Sequence, residues 1–168
     1  MSTVPFRGLA ALAAVLALSL GVSACARNNE AAGAGAGGAA DAAAGPGSVQ
    51  EFNTSVGDRV FFETDQTDLT PTAQATLDKQ AAWLNQYDRY SFTIEGHADE
   101  RGTREYNFAL GARRAQTVHD YLAAKGVAAS RMKTISYGKE RPVAVCDDIS
   151  CWSQNRRAVT VLNGSSSS

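Results

Sequence analysis

A strand, a polar loop and a long helix are predicted in succession in the middle of this chain. Tyr90, Phe92 and Ile94 alternate with polar residues, which is typical of a β-strand with one buried face. Apolar and small residues then recur at helical spacing until a glycine follows, as is common after a helix end. We therefore expect a strand that ends at Gly96 and a helix over about residues 106–125 that packs against it.

Three more strands and one more helix are predicted from the same kinds of pattern. Thr70 is a suitable N-cap residue, and Pro71 fits the first turn because its missing N–H is not needed there. The element order is then βαβαββ, which predicts an α/β (α+β) fold: a two-layer sandwich with the helices on one face of a mixed sheet. The additional strands are expected at residues 59–62, 132–137 and 157–162.

The first 24 residues have the pattern of an export signal. Arg7 precedes an apolar run over residues 9–20, which is shorter than the roughly 20 residues of a membrane-spanning helix. The run leads to the sequence VSAC at residues 22–25, which resembles the lipobox of bacterial lipoproteins. That precedent implies cleavage before Cys25 and lipidation of its thiol; a secretory signal with a chance cysteine is the alternative.

A stretch rich in alanine and glycine follows over residues 26–48. Each glycine disfavours helix by up to about 1 kcal/mol relative to alanine, and no large apolar side chain is present to pack. We predict that residues 25–49 carry the lipid and form a flexible tether, with a reach of about 25–30 Å as a random coil. The globular domain is expected over residues 50–164, followed by a disordered tail at 165–168.

Three cysteines are an odd number for an exported chain, in which thiols are usually paired. If Cys25 carries lipid, Cys146 and Cys151 remain, on either side of a short loop. A zinc site is a weak alternative, because no second pair of cysteine or histidine residues completes a tetrahedral set of ligands. We expect a disulfide bond that pins the loop.

Polar positions of the second long helix predict a binding site at the end of the preceding strand. Asn107, Leu110 and Arg114 lie at i, i+3 and i+7 and share one helical face, whereas Arg113 is turned about 100° away. Helical side chains lean towards the N-terminus, so Arg114 is expected to reach back, on an exposed face, to the loop that carries Asp99. A carboxylate and a guanidinium side by side suit a ligand with both an ammonium and a carboxylate group, such as an amino acid.

Other ionisable residues give little support to catalysis or metal binding. His97 and Asp99 have the spacing of a partial metal site, but no third ligand follows, and a hydrogen bond from His97 to its own loop is expected instead. Glu100 and Glu105 are expected to be hydrated, whereas glycoside hydrolysis needs a carboxyl group whose pKa is raised by burial. His119 is expected to be solvated. We interpret the chain as a binding protein without cofactor or metal, and its net charge of −1 without a basic stripe argues against nucleic acid.

Several longer motifs resemble one protein family. The sequence GHADERGT at residues 96–103 is followed by EYN at 105–107 and RRA at 113–115. Over residues 60–162 the chain is therefore identified as a member of the OmpA-like peptidoglycan-binding domain family, and it resembles more narrowly the peptidoglycan-associated lipoproteins of the Tol–Pal system. Further matching runs are SYGKERP at residues 136–142 and NRRAV at 155–159.

The resemblance implies a specific ligand. In this family, the residues at the positions of Asp99 and Arg114 hold the diaminopimelate residue of the peptidoglycan stem peptide, and backbone groups after the first strand complete the site. Many relatives have Phe-Asp-Phe-Asp there, whereas this chain has FETD at residues 62–65. Affinity is expected to fall if the aromatic residue that Thr64 replaces packs on the ligand. The binding residues implied are Asp99, Arg114, Asn107 for a further hydrogen bond, Leu110 to cover the methylene groups, and the backbone of Glu63 and Thr64.

The resemblance also implies where the protein acts and with which partners. The lipid on Cys25 would sit in the outer membrane, and the domain in the periplasm would bind peptidoglycan noncovalently. Ala26 follows the cysteine, and the absence of aspartate there resembles lipoproteins sorted to the outer membrane. Family membership further implies TolB as a partner and a role in envelope constriction during cell division. A generic OmpA-like wall anchor without a Tol partner and a peptidoglycan hydrolase are the alternatives.

Overall fold

The computed structural model describes residues 45–163, which include nearly all of the predicted domain. The predicted signal peptide, the lipidation site Cys25, the tether up to residue 44 and the tail at residues 165–168 lie outside the described residues. Across the described range, every helix is too short or too polar to cross a membrane.

The described residues form four α-helices and four β-strands. The helices are α1 (Val49–Glu51), α2 (Pro71–Gln86), α3 (Arg104–Ala124) and α4 (Ile149–Asn155). The strands are β1 (Arg59–Phe61), β2 (Phe92–His97), β3 (Met132–Gly138) and β4 (Arg157–Leu162). A π-helical turn (Phe52–Gly57) continues α1, and a 3₁₀ turn (Ala129–Arg131) precedes β3.

The strands form one mixed sheet in the order β1-β4-β2-β3. Strand β2 is parallel to β3 and antiparallel to β4, and β1 is antiparallel to β4. Phe92 and Ile94 share one face of β2 and pack in the same buried cluster as Leu77 of α2 and Val118 of α3. The mixed sheet with its helices on one face confirms the predicted fold class. Helices α1 and α4 and the π-helical turn are additions to the predicted order.

Helix α2 begins where its sequence predicts. The hydroxyl oxygen of Thr70 accepts a hydrogen bond from the N–H of Ala73 at 3.1 Å, and Pro71 occupies the first turn. Leu77 and Leu84, which lie on the same face of the helix, are fully buried against the sheet. Burial of each such side chain contributes about 1.5–3 kcal/mol, so this face fixes the helix on the sheet.

Packing begins before the expected start of the domain at residue 50. The rings of Phe52 and Trp83 lie 4.9 Å apart, and Trp83 also stacks on Tyr90 at 5.3 Å. The hydroxyl group of Tyr90 donates to the carbonyl oxygen of Gly47 at 2.8 Å. The segment from Gly47 onwards is therefore part of the fold, where the sequence predicts the end of a tether.

Helix α3 lies very close to β2 because two glycines face each other. A Cβ atom at Gly96 would overlap the carbonyl group of Gly111 and would lie 2.6 Å from its carbon atom. A Cβ atom at Gly111 would in turn lie 2.8 Å from the carbonyl oxygen of Gly96. Such distances are shorter than van der Waals contact, so only glycine at both positions permits this approach. The same contact places α3 beside the loop that follows β2.

A disulfide bond closes the segment between β3 and β4. Cys146 and Cys151 are joined, as the sequence predicts, with their Cα atoms 5.7 Å apart. Cys151, one end of the disulfide bond, lies in the first turn of α4. Asp148 caps this helix by accepting a backbone hydrogen bond at 2.7 Å. The side chain of Asn155, at the end of α4, accepts from the backbone N–H of Val143 at 2.9 Å. The disulfide and these hydrogen bonds together hold α4 against the segment that precedes it.

Candidate functional site at the end of strand β2

The loop after β2 is held at both of its ends. The N–H of Ala98 donates to the carbonyl oxygen of Gly138 at 2.8 Å, which extends the pairing with β3. At the other end, Thr103 caps α3 by accepting a backbone hydrogen bond at 3.2 Å. The side-chain amide of Asn107 donates to the carbonyl oxygen of Arg101 at 2.6 Å and fixes the middle of the loop. The loop therefore has one defined path.

Asp99 is the buried carboxylate of this loop, with 7% of its surface exposed. Arg101 donates to it through Nη2 at 2.6 Å, Nε at 3.1 Å and the backbone N–H at 3.2 Å. Arg156 adds a fourth donor through Nη1 at 3.4 Å. Burial alone would raise the pKa of Asp99, but the hydrogen bonds from Arg101, and then the one from Arg156, outweigh it and hold the pKa below its ordinary value. Asp99 is therefore ionised at neutral pH.

Arg114 is completely buried, and its guanidinium group connects three backbone segments. Nε donates to the carbonyl oxygen of Gln66 at 3.0 Å, Nη1 to that of His97 at 2.8 Å, and Nη2 to that of Glu63 at 3.2 Å. Burial, and after it the charge of Arg156, lower the pKa of Arg114 to about 10. The guanidinium thus stays charged at neutral pH and ties the end of β2 to the loop after β1.

The expectation of an exposed face carrying Asn107 and Arg114 is wrong, because both residues are buried. Asp99 and Arg114 also do not pair; among the described residues, the ion-pair partners of Asp99 are Arg101 and Arg156. The reason is geometric: positions 107, 110, 111, 114, 115, 118 and 122 follow the i, i+3, i+4, i+7 spacing of a single stripe. Asn107 and Arg114 therefore lie on the same buried face of α3 as its small and apolar residues.

The loop after β1 contributes backbone groups, as the resemblance implies for its relatives. Glu63 and Thr64 have exposed side chains, and the carbonyl oxygen of Glu63 accepts from Arg114. The same oxygen accepts from the N–H of Gln66 at 3.1 Å, which makes a tight turn. Asp65 within this turn has a φ of 55°, a left-handed conformation that aspartate tolerates better than most residues. This loop is therefore shaped by its backbone, and the side chain of Thr64 points away from the core.

Arg156 is a site residue that the sequence reasoning missed. Its side chain is buried, and Nε donates to the carbonyl oxygen of Phe62 at 3.0 Å. Its own carbonyl oxygen accepts from the N–H of Phe62 at 2.9 Å. Arg156 thus fixes the end of β1 and also contacts Asp99. The sequence NRR at residues 155–157 was a usable signal, but its pattern alone assigns no role to either arginine.

The buried charges of the site do not balance. Arg114 and Arg156 are two buried guanidinium groups, and Asp99 is the only buried carboxylate beside them among the described residues. A buried charge without a counter-ion is costly, which favours uptake of an anionic group at such a place. The arrangement therefore suits a carboxylate near the arginines and, because Asp99 accepts hydrogen bonds only, an ammonium group at Asp99.

The rim of the site is formed by α4 and the loop. The guanidinium carbon of Arg101 lies 4.3 Å from the ring centroid of Trp152, a cation–π geometry. The indole N–H of Trp152 donates to the carboxylate of Glu100. The ammonium group of Lys139 donates to the carbonyl oxygens of Glu100 at 3.0 Å and Gly102 at 2.7 Å. Glu100 is thus engaged as a structural acceptor.

The expected hydrogen bond between the ring of His97 and its own loop is not formed. The ring is buried, and neither ring nitrogen has a hydrogen-bond partner; the nearest carboxylate oxygen, from Glu95, lies 3.7 Å from Nε2. Burial, and then the charges of Arg157, Arg141 and Arg59, lower the pKa of His97 to about 4. The ring is therefore neutral at physiological pH. The described part of the chain contains no cluster of three metal-binding side chains.

Three further side chains lie away from the site. Arg113 and Glu105 are exposed, as expected. His119 is only partly exposed, and its Nδ1 lies 3.0 Å from the carboxylate of Asp120, so it is paired rather than simply solvated. None of these three takes part in the buried charge cluster.

Lowering the pH from 7 to 4 is expected to destabilise the domain through His97. The pKa is about 6.5 in an unfolded chain and about 4 in the folded domain, so between these values only the unfolded state takes up the proton. Stability is complete above about pH 6.5 and falls by up to about 3 kcal/mol as the pH approaches 4. Thermal unfolding of the full chain in detergent at several pH values measures this fall. The contribution of Asp99, whose pKa is lowered, is lost only below about pH 4.

Two variants show whether His97 is the group responsible for this pH dependence of stability. His97→Phe keeps a planar ring and removes the titrating group, so its stability should be nearly constant between pH 6.5 and 4. His119→Gln changes the chain's other histidine and should retain the fall. An equally steep fall in His97→Phe would place the titrating group elsewhere.

Comparison with known proteins places the chain in a family. The model described as the OmpA family matches residues 61–156. The chain is 62% identical over 157 residues to the peptidoglycan-associated lipoprotein of Mesorhizobium japonicum, which covers 94% of this chain and 92% of the relative. It is 42% identical over 166 residues to the peptidoglycan-associated lipoprotein of Pseudomonas aeruginosa, a match that covers 94% of this chain and 97% of the relative.

Solved structures share the fold. The crystal structure of the peptidoglycan-associated lipoprotein from Burkholderia pseudomallei matches with a TM-score of 0.63 and 39% identity, over 66% of this chain and 96% of that chain. The C-terminal domain of Helicobacter pylori MotB matches with a TM-score of 0.60 and 21% identity, over 65% and 86%, and shows likeness of fold alone. Because the family model matches more than half of the chain and the relatives cover most of the sequence, the chain belongs to the OmpA family, among the peptidoglycan-associated lipoproteins.

Proposed function

We propose that this protein anchors the outer membrane to the cell wall by binding peptidoglycan noncovalently. The lipid on Cys25 holds one end in the outer membrane, and the domain in the periplasm binds the diaminopimelate residue of the stem peptide. The protein acts within the Tol–Pal system, with TolB as a partner, and supports envelope integrity and constriction during division. The relatives named as peptidoglycan-associated lipoproteins support the general role.

The unbalanced charge cluster is the observation that carries the proposed ligand. Diaminopimelate presents an ammonium and a carboxylate group on one carbon atom. The carboxylate supplies a counter-ion for Arg114, which has no ion-pair partner among the described residues, and the ammonium group binds Asp99, which is paired with Arg156. Glu63 and Thr64 provide backbone groups at the rim. Asn107 and Leu110 are both buried, and the Asn107 amide bonds the backbone of the loop at Arg101, a role that differs from direct contact with the ligand.

One site of this kind binds with modest affinity. Each charge-assisted hydrogen bond contributes about 1.5–3 kcal/mol before the costs of association are subtracted. Firm attachment then depends on multiplicity, because a domain anchored in the membrane is confined beside a polymer dense in stem peptides. Attachment to the wall through such a weak site therefore depends on the proposed lipid anchor, which keeps the domain close to many stem peptides.

Asp99→Asn is expected to reduce retention on diaminopimelate-containing sacculi at least about tenfold, because an amide cannot supply the negative charge that an ammonium group needs. Co-sedimentation of the full chain in detergent measures retention. Asp147→Asn is the matched control: it makes the same change on an exposed side chain in the disulfide-closed loop and should sediment like the wild type. A folded Asp99→Asn variant that sediments like the wild type would exclude Asp99 from the site.

The proposed partner is tested separately. TolB should co-purify with the full chain after mild crosslinking of cells. Recovery of peptidoglycan fragments without TolB would leave a wall anchor outside the Tol–Pal system.

A further inference from the structure

Asp99 has no free acceptor position. A carboxylate accepts about four hydrogen bonds, and Asp99 already receives four: two on Oδ1 from the backbone N–H and Nε of Arg101, and two on Oδ2 from Nη2 of Arg101 and Nη1 of Arg156. Arg101 supplies three of the four donors. An incoming ammonium group therefore reaches Asp99 only if one of the two arginine side chains leaves.

Arg101 is the donor able to leave. Its side chain is 41% exposed, whereas that of Arg156 is 5% exposed and also holds the carbonyl oxygen of Phe62. Departure of the Arg156 side chain would also remove the donor from the buried carbonyl oxygen of Phe62. Departure of the Arg101 side chain breaks its two bonds to Asp99 and its contact with Trp152, and it leaves the backbone N–H bond in place.

Trp152 keeps Arg101 over Asp99 in the free domain. The indole ring lies under the guanidinium group at 4.3 Å, and its N–H is bonded to Glu100, so the ring has a defined orientation. Helix α4, which carries Trp152, is braced by the disulfide bond that ends at Cys151. The guanidinium group of Arg101 is thus clamped between a carboxylate and an aromatic face, and this clamp favours the arrangement in which Arg101 is bonded to Asp99.

We infer that Arg101, clamped by Trp152, is a built-in competitor that occupies the ammonium position of Asp99 until the ligand displaces it. This inference rests on the proposed function, since it concerns the same site. It has a consequence for selectivity: a ligand whose amine is acetylated leaves Asp99 with Arg101 and cannot use the position at all. Only a ligand with a free ammonium group replaces the charge that Asp99 loses when Arg101 moves away.

Calorimetric titration tests the inference. The probe is a disaccharide tripeptide ending in meso-diaminopimelate, added to the full chain in detergent. Arg101→Gln removes the competing charge and is expected to tighten binding about three- to tenfold, in line with an exposed but bidentate ion pair. Arg104→Gln is the matched control: it removes the same charge nearby, from an exposed pair with Glu140 at 3.2 Å, and should change binding less than about twofold.

A double-mutant cycle tests the role of Trp152. Trp152→Leu alone should tighten binding about twofold or more, because the clamp on Arg101 is lost. In the Arg101→Gln background the same change should have no further effect. If Trp152 had a purely structural role, its replacement would change the ligand affinity by the same factor in the wild type and in Arg101→Gln. If Trp152→Leu fails to fold, Trp152→Phe replaces it in the cycle and should tighten binding by less.

The outcomes separate the two levels of the proposal. Weaker binding by Arg101→Gln would make Arg101 a ligand contact, and unchanged binding would show that the ligand does not displace it; either result overturns the inference. Asp99→Asn and the amine-acetylated probe should both lose binding in every case in which the proposed site is correct. Retention of full affinity by Asp99→Asn would overturn the proposed function itself.

Discussion

The Arg114→Met variant is expected to lose about 3–5 kcal/mol of unfolding free energy and all measurable binding to sacculi. Methionine preserves much of the length and apolar character of the stem, so the change removes mainly the guanidinium group. Three carbonyl oxygens, on Glu63, Gln66 and His97, then lose a donor at once. The loop after β1 is no longer tied to the end of β2, and the positive charge proposed to face the ligand carboxylate is gone.

Arg113→Met is the matched control for this change. It alters the neighbouring residue by the same chemistry, but the Arg113 side chain is exposed, so stability should change by less than about 0.5 kcal/mol and retention should be unaffected. Urea unfolding and co-sedimentation of the two variants measure both quantities. An Arg114→Met variant as stable and as well retained as Arg113→Met would contradict the assigned role of Arg114.

Much of the fold was predictable because its determinants are local. Thr70 and Pro71 mark the start of α2 by capping chemistry, and the alternation at Tyr90, Phe92 and Ile94 marks β2. The start of the domain was not predictable in the same way. Gly47 is held in part by its N–H, which donates to Glu51 at 2.7 Å, and in part by the hydroxyl group of Tyr90, 43 residues away. A glycine-rich segment looks like a tether until its distant partner is known.

The placement of the charged side chains on helix α3 was partly predictable, but their bonding was not. Helical register correctly separated Arg114 from Arg113, because that distinction depends on the 3.6-residue period alone. Register does not say what a buried guanidinium bonds, and the partners of Arg114 are backbone carbonyls up to 51 residues away. Arg156 was missed for the same reason, since its acceptor at Phe62 is 94 residues away. A backbone carbonyl group can accept a hydrogen bond whatever its residue type, so the sequence does not reveal which residue such a side chain bonds.

These long-range bonds explain how a small rigid site arises from mostly exposed loops. Arg114 joins the end of β2 to the loop after β1, and Arg156 joins that same loop to the start of β4. Asp99 forms ion pairs with Arg101 and with Arg156. Rigidity and the proposed ligand recognition therefore depend on the same three charges, so variants at Arg114 or Arg156 should affect both properties together.

Gly96→Ala is expected to destabilise the domain by at least about 3 kcal/mol, a large part of the 5–15 kcal/mol typical of a folded domain. The added methyl group would overlap the carbonyl group of Gly111, which is backbone and cannot rotate away. Helix α3 must then move outward from β2. Because α3 carries Asn107 and Arg114, its displacement pulls on the two side chains that hold the loop after β2 and the loop after β1.

Thermal unfolding followed by circular dichroism measures this effect on the full chain in detergent. Gly45→Ala is the matched control, since a Cβ atom there meets no atom within 4 Å and the same methyl group is added at no steric cost. It should unfold like the wild type, whereas Gly96→Ala should unfold at much lower temperature and lose retention on sacculi. If Gly96→Ala were as stable as Gly45→Ala, the close approach of α3 to β2 would not be what positions Arg114, and the carbonyl bonds of that arginine would have to place the helix by themselves.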